Sequence, residues 1–353
     1  MQAIVYHNNK DLRLEDIPEP TPGSGEVKLR ITGTSICATD IEEWQYGPLW
    51  VQHGSPNAMT GRQTPLVLGH ETAGTVAELG EGVDSVAVGD RVAINTVLTC
   101  GTCFWCLRGQ QAVCPNMAVA GFMADGGLAE FMVWPAEKLV PMPDNISDEE
   151  GPLLEPATVA VHGVRRSGVR PGDNVAVVGC GTVGLLAVQA FKSAGARVIA
   201  VDLREQSLEL AKVVGADEVV SSTDLSAAGE KLLELTNGIG PDIVVESAGA
   251  KETPRMAIEW TRRGGTTLLI GIYSTTPEID FNNVVGPELT IIGSVATSPG
   301  DLEAAVKLVS AGKINVKPLI SQIVPLSRAM EDGFERMLDP NKDIYRIVIQ
   351  PGS

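Results

Sequence analysis

At 353 residues the chain is long enough for two domains of ordinary size. Hydrophobic residues make up 44% and charged residues 20%, the balance of a globular protein in water, and with aromatics at only 4% the cores must rest on Val, Ile, Leu and Ala. Against 27 Lys and Arg stand 44 Asp and Glu, a formal charge of −17, which disfavours nucleic acid and anionic membrane surfaces and leaves small molecules as the expected partners.

The opening MQAIVYHNNK has no basic head followed by an apolar run, so it does not read as a signal peptide. No stretch of about 20 apolar residues predicts a membrane span, and the expected location is cytoplasmic. The first 150 or so residues alternate β-rich runs with Gly and Pro: VKLRITGTSI, TAGTVAEL, DRVAINTVL and AEFMVWP predict a barrel-like β domain. Within it lie Cys37-Ala38-Thr39-Asp40 and Gly69-His70-Glu71, followed later by Leu153-Leu154-Glu155-Pro156. Taken singly, a Cys or His of this kind serves packing as readily as ligation.

Four of the six cysteines crowd together as Cys100-x2-Cys103-x2-Cys106-x7-Cys114, while Cys37 and Cys180 stand alone. Bunching of this kind in a long intracellular chain favours a metal over disulfides. Four thiolates on one compact loop suit tetrahedral zinc, and with no open coordination position such a site is structural. A four-iron cluster is the competing assignment, because Pro115 follows Cys114, but ferredoxin runs close with three intervening residues rather than seven.

After LEPATVAVHGV the texture changes to alternating strands and helices. NVAVVG, ARVIAVD, DIVVESAG, TTLLIGIY and LTIIGSV predict strands, and LLAVQAFKSAG and QSLELAKVVG predict helices, together a parallel doubly wound sheet. Between the first strand and helix runs Gly179-Cys180-Gly181-Thr182-Val183-Gly184. The first glycine suits a tight turn, the second a close approach to a pyrophosphate, the third helix packing on strand. Asp202 ends the next strand, where a carboxylate accepts from the ribose hydroxyls of NAD; Arg204 nearby is the one feature pointing towards NADP. Cys180 fits a small packed residue.

The last stretch predicts one helix, DLEAAVKLVSAG, and two strands, LISQIVPL and IYRIVIQ, packing back on the first domain. The expected division is therefore residues 1–153 and 297–353 as one discontinuous domain, and 154–296 as the cofactor domain.

In this order, cysteine pair of motifs, zinc-type loop and nucleotide loop, the sequence resembles the zinc-containing medium-chain dehydrogenase/reductase superfamily over nearly its whole length. The EPATVAVHG segment and the loop from Gly47 to Thr64 look like the polyol and (R,R)-2,3-butanediol dehydrogenases. The resemblance implies an α/β protein, a GroES-like β-barrel catalytic domain plus a Rossmann sheet. It implies two zinc ions, one structural and one catalytic, and NAD-linked oxidation of an alcohol to a ketone. The catalytic zinc would be held by Cys37 and His70 with either Glu71 or Glu155, leaving a position for substrate oxygen. Asp40 would hold the His70 ring, or else cap a turn.

Thr39 would bond the substrate oxygen. Relatives continue the proton path with a histidine where this chain has Glu42, so Glu42 either accepts the proton or the path leads straight to solvent. Arg346 falls where relatives place a phosphate-binding base, with a surface arginine as the alternative. Ile272 and Val295 would approach the nicotinamide, or else belong to strand cores. Trp44, Trp50, His53 and Thr96 are candidates for the substrate pocket, with loop packing or a subunit contact as the alternative for the first three. A homodimer or homotetramer is expected, by resemblance and because LTIIGSV reads as an apolar edge strand. Other functions on the same scaffold are sugar, cyclitol and L-threonine oxidation. A non-catalytic nucleotide-binding relative is the remote alternative, set against the retention of every expected ligand position.

Overall fold

The computed structural model describes residues 1–339 and 344–352. The chain divides into two compact units, Met1–Glu155 with Thr297–Ser310 and Leu319–Ser353, and Pro156–Ala296 with Ala311–Pro318. The segment 311–318 thus belongs with the second unit, whereas the sequence placed all of 297–353 with the first. Ile314 and Val316 of this segment are buried, and polar bonds add to them: the Gln189 amide accepts from Asn315 N at 2.6 Å and donates to Asn315 O at 3.2 Å, and the Ser193 hydroxyl donates to Lys313 O at 3.2 Å. Backbone-to-side-chain pairing of this kind leaves no hydrophobic signature.

The first unit is built on a seven-stranded sheet. Its path runs Leu139–Pro141, Arg91–Ile94, Glu71–Leu79, Glu26–Ser35, Arg346–Gln350 and Ile320–Pro325, and Phe131–Pro135 also pairs with Glu26–Ser35. All pairs are antiparallel except the last two strands, which run parallel. Glu26–Ser35 can serve three partners because it is ten residues long and shifts register at Lys28/Leu29 and Ile31/Gly33, bending as bulged strands do. Gly33 leaves room where a Cβ would meet Pro152 Cγ at 3.0 Å and Asp148 O at 3.2 Å. Alternate residues of these strands bury Val27, Leu29, Ile31, Val76, Val92, Ile94, Met132 and Trp134 in one core. Each such side chain contributes about 1.5–3 kcal/mol by leaving water.

The second unit holds a six-stranded sheet, parallel throughout. Its spatial order is Glu218–Ser221, Arg197–Asp202, Asn174–Val178, Ile243–Glu246, Thr266–Leu269, Thr290–Gly293. The chain begins at the centre, winds to one edge, and returns to build the other half. The order reverses between Asn174–Val178 and Ile243–Glu246, and ligands of such sheets bind outside the carboxyl ends of the strands at that reversal. The central strands read as unbroken apolar runs because helices cover both faces; Val198, Ile199, Ala200 and Val201 are each 0% exposed. Thr290–Gly293 is an edge strand, and all four of its residues are at least partly exposed.

Candidate active site

Sheet register in the first unit assembles one cluster from three distant segments. Ser35 pairs with Glu71 and with Val348, so the end of Glu26–Ser35, the start of Glu71–Leu79 and the start of Arg346–Gln350 lie side by side. Cys37 follows the first of these strands, His70 precedes the second, and Arg346 opens the third. Cys37 caps the helix Ala38–Tyr46, and its amide donates to Asp40 Oδ2 at 2.9 Å. His70 is turned by Gly69, whose φ of 97° suits glycine and whose absent Cβ leaves room for Thr34 Cγ2 and Leu128. The imidazole packs on Phe122 with ring centroids 4.9 Å apart.

The ligand atoms of Cys37, His70 and Glu71 lie within 4.8 Å of one another. His70 Nδ1 faces Asp40 Oδ1 at 3.4 Å, a buried pair of polar atoms that do not yet hydrogen-bond. A metal on the other ring nitrogen would draw that pair together, as carboxylates do for metal-bound histidines. A thiolate, an imidazole and a carboxylate converging in this way form the donor set of a catalytic zinc. Burial acts to lower the His70 pKa, but the Asp40 carboxylate and the Cys37 thiol outweigh it and hold the imidazole well above its usual range. A metal must displace that proton to bind, so zinc affinity here is pH-dependent.

Glu71 does not stand free. Arg346 Nε donates to Oε2 and Nη2 to Oε1, both at 2.8 Å, and the Ser35 hydroxyl donates to Oε2. Burial pushes the Glu71 carboxyl up, but Arg346, His70 and Ser35 together hold it below the usual range. Arg346 is 5% exposed and also lies 3.6 Å from Cys37 Sγ, so the surface-arginine alternative is wrong: the guanidinium is buried as the counter-charge of the cluster. Glu155, in the first turn of the helix Leu154–Ser167, is not among the converging ligand atoms. Its carboxyl is pushed up to about 7, chiefly by desolvation and then by the charges of Glu71 and Asp40, against the pull of His70 and Arg346. Thr39 places its hydroxyl 3.1 Å from Cys37 Sγ. Desolvation raises the Glu42 carboxyl above its usual range.

The four-cysteine loop brings its sulfurs into one knot: Cys100–Cys106 4.0 Å, Cys103–Cys114 3.9 Å, Cys100–Cys114 3.5 Å. Tetrahedral zinc with bonds near 2.3 Å would set sulfurs about 3.8 Å apart, so the residues fit the ion. Backbone N–H groups of Thr102 and Cys103 lower the Cys100 thiol to about 6, favouring the thiolate a metal needs. No disulfide joins any of the six cysteines.

In the second unit the glycine loop behaves as its spacing predicts. Gly179 has φ 93°, Gly181 caps the helix Thr182–Ser193 with open space where a side chain would stand, and a Cβ at Gly184 would run into the Gly179 carbonyl. Asp202 is 8% exposed and accepts from Cys180 N at 2.6 Å and Arg204 N at 2.8 Å, tying the second strand's acid to the glycine loop. Thr182 lies buried at the start of that helix, followed by Val183. Ile272 and Val295 are 54% and 47% exposed, so the strand-core alternative fails for both.

Three of the pocket candidates part company. Trp44 is 9% exposed and meets Phe334 edge-on at 5.7 Å, which makes it core. Trp50 is 44% exposed, and His53 Nδ1 lies 2.9 Å from the Thr64 hydroxyl. The loop carrying them is fixed by a residue the sequence did not single out: buried Glu43 accepts from the amides of Leu49, Trp50 and Val51 at 2.9, 2.7 and 3.2 Å. Thr96 is 1% exposed. Ser35 was missed as well, since a strand serine carries no motif.

Residues 23–144 match the alcohol dehydrogenase GroES-like domain family and residues 182–311 the zinc-binding dehydrogenase family. An (R,R)-butanediol dehydrogenase of Bacillus subtilis (strain 168) is 32% identical over 99% of this chain and 100% of its own length. A sorbitol dehydrogenase of Halalkalibacterium halodurans is 32% identical over 93% of each chain. The crystal structure of 2R,3R-butanediol dehydrogenase from Bacillus subtilis superposes with a TM-score of 0.92 at 32% identity, covering 99% of both chains. The fold and site thus define an oxidoreductase with a GroES-like domain and a Rossmann domain. The chain belongs to the zinc-binding alcohol dehydrogenase family.

Proposed function

We propose that this protein is an NAD-linked dehydrogenase of secondary alcohols, with vicinal diols and polyols as its substrate class and the ketone as product. The observation that carries this reading is the convergence of Cys37, His70 and Glu71 within 4.8 Å, on the frame of relatives that act on butanediol and sorbitol. Zinc held there would supply a Lewis acid for the alcohol oxygen, and NAD on the glycine loop would supply the hydride acceptor. Cys37, His70 and Glu71 would hold the ion, and Arg346 and Ser35 would orient Glu71. Glu155 is the second carboxylate close enough to feel the same charges, and it takes the ligand role if Glu71 stays with Arg346. Thr39 would bond the substrate oxygen and pass its proton on, either to Glu42 or straight to solvent. Cys100, Cys103, Cys106 and Cys114 would hold the structural zinc.

Gly179, Gly181, Thr182, Val183, Gly184 and Asp202 support the cofactor assignment, and the buried Asp202 carboxylate favours NAD by repelling a 2′-phosphate. Arg346, spent on Glu71, is a poor candidate for the cofactor phosphates. Among the described residues no helix is long and apolar enough to cross a membrane. Cysteines joined by no disulfide suit a reducing compartment, which supports a cytoplasmic enzyme. The exposed edge strand Thr290–Gly293 supports a homodimer or homotetramer.

Initial rates of NAD⁺ and NADP⁺ reduction against vicinal diols, polyols, sugars, cyclitols and L-threonine test the reading. The expected result is the highest kcat/KM for a diol or polyol with NAD⁺. A preference for L-threonine or an aldose, or for NADP⁺, would overturn it.

A further inference from the structure

Glu246 is the last residue of Ile243–Glu246, the first strand beyond the reversal of strand order in the second unit, and it is 0% exposed. A wholly buried carboxylate persists only where its oxygens are satisfied. Four donors meet it: Ala248 N and Gly249 N at 2.9 Å each, the Thr253 hydroxyl at 2.7 Å, and the Tyr273 hydroxyl at 2.5 Å. The first three bind Oε1 and hold the turn after its own strand. Tyr273 binds Oε2 and belongs to the segment leaving the neighbouring strand, Thr266–Leu269.

That segment is tied to Glu246 twice over, since Ile270 N and Gly271 N donate to the Glu246 carbonyl at 2.8 and 3.1 Å. Two glycines make the approach possible. A Cβ at Gly271 would run into the Glu246 carboxylate, and one at Gly249 would run into the Ile272 carbonyl. On the other side the turn touches the phosphate loop: the Ser247 hydroxyl donates to Gly179 O at 2.8 Å, and a Cβ at Gly179 would meet Ala248 N at 2.7 Å. Glu246 therefore stands at the junction between the glycine loop and the Ile270–Tyr273 segment. The segment leaves Ile272, a bulky apolar side chain, 54% exposed at the carboxyl end of the sheet.

A doubly wound sheet binds a dinucleotide across its reversal point, one mononucleotide over each half. Asp202 marks the first half, the adenosine side. We propose that Glu246 and Tyr273 form a positioning clamp that presents Ile272 as the apolar wall of the second half, where the nicotinamide ring lies. The clamp rests on the assignment of NAD to the glycine loop. Neither residue needs to touch the cofactor; their part is to keep the wall from drifting when the ring arrives.

Tyr273→Phe removes one oxygen from the clamp and leaves the fold's hydrophobic contacts intact. Calorimetric titration of the full-length protein with NADH and, separately, with ADP-ribose divides the two halves of the site. Loosening the wall should weaken NADH by about tenfold with ADP-ribose held within about twofold, while the melting temperature falls in any case because a buried carboxylate oxygen loses its donor, so the ratio of the two affinities decides. Equal weakening of both ligands, or undiminished NADH binding, would overturn the clamp. Wild-type protein that binds neither ligand would instead remove the cofactor assignment, and the clamp with it.

Discussion

Arg346 shows how much a single residue can hold in place. Its two bonds to Glu71 neutralise a carboxylate that is 1% exposed, and one of its nitrogens reaches Cys37 Sγ. Removing one partner of a buried pair leaves the other charge without compensation, which costs about 3–5 kcal/mol. Arg346→Met should therefore lower the free energy of urea unfolding of the metal-free protein by that amount. Arg255→Met, which breaks an exposed pair with Glu259 one helical turn away, should change it by no more than about 0.5 kcal/mol. Equal effects from the two variants would show that the Glu71–Arg346 pair carries no special weight. The sequence brought Cys37 and His70 forward only through the order of motifs that resembles a family, left Glu71 and Glu155 as alternatives, and marked Asp202 by its distance from the glycine loop. It could not reveal Ser35, Glu43 or the true setting of Arg346. Those roles arise from pairing across 36 to 275 positions, or from a carboxylate folded back on its own loop, and no local spacing encodes either.

At the scale of elements, the cysteine loop would be a staple closed by its own zinc, with ligands separate from those of the Cys37/His70 cluster. It has little else to hold it: the helical turns Cys106–Arg108 and Gln111–Val113 are short, and Phe104, Leu107 and Val113 are exposed at 58%, 72% and 50%. Cys103→Ser should release one zinc per chain and open the loop around residues 100–114 to limited proteolysis. The Cys37/His70 zinc should remain, because its ligands are separate. Retention of both ions after the substitution, or loss of both, would refute that independence. The strands and helices themselves were legible wherever apolar period was strong, as in Asn174–Val178, Thr182–Ser193 and Arg197–Asp202. Register was not. The bulges in Glu26–Ser35 decide which residues face Glu71 and Val348, and bulges carry no hydrophobic signal.

Across the whole molecule, a β-rich unit carries both groups of side chains that could hold a metal, and a parallel-sheet unit carries the glycine loop and the proposed Glu246 clamp. This two-unit plan was legible from the switch in texture near residue 154. The exception, 311–318, buries Ile314 and Val316 and is bonded to the Gln189 amide. Two separate ligand sets would hold two zinc ions, of which only the Cys37/His70 ion would serve the reaction. Elemental analysis of purified wild-type protein and of His70→Ala, paired with alcohol-dependent NAD⁺ reduction, tests it most directly. Wild type should hold two zinc ions and turn over, and His70→Ala should hold one zinc ion and not turn over. Stoichiometric iron, a single zinc in wild type, or turnover surviving in His70→Ala would contradict it.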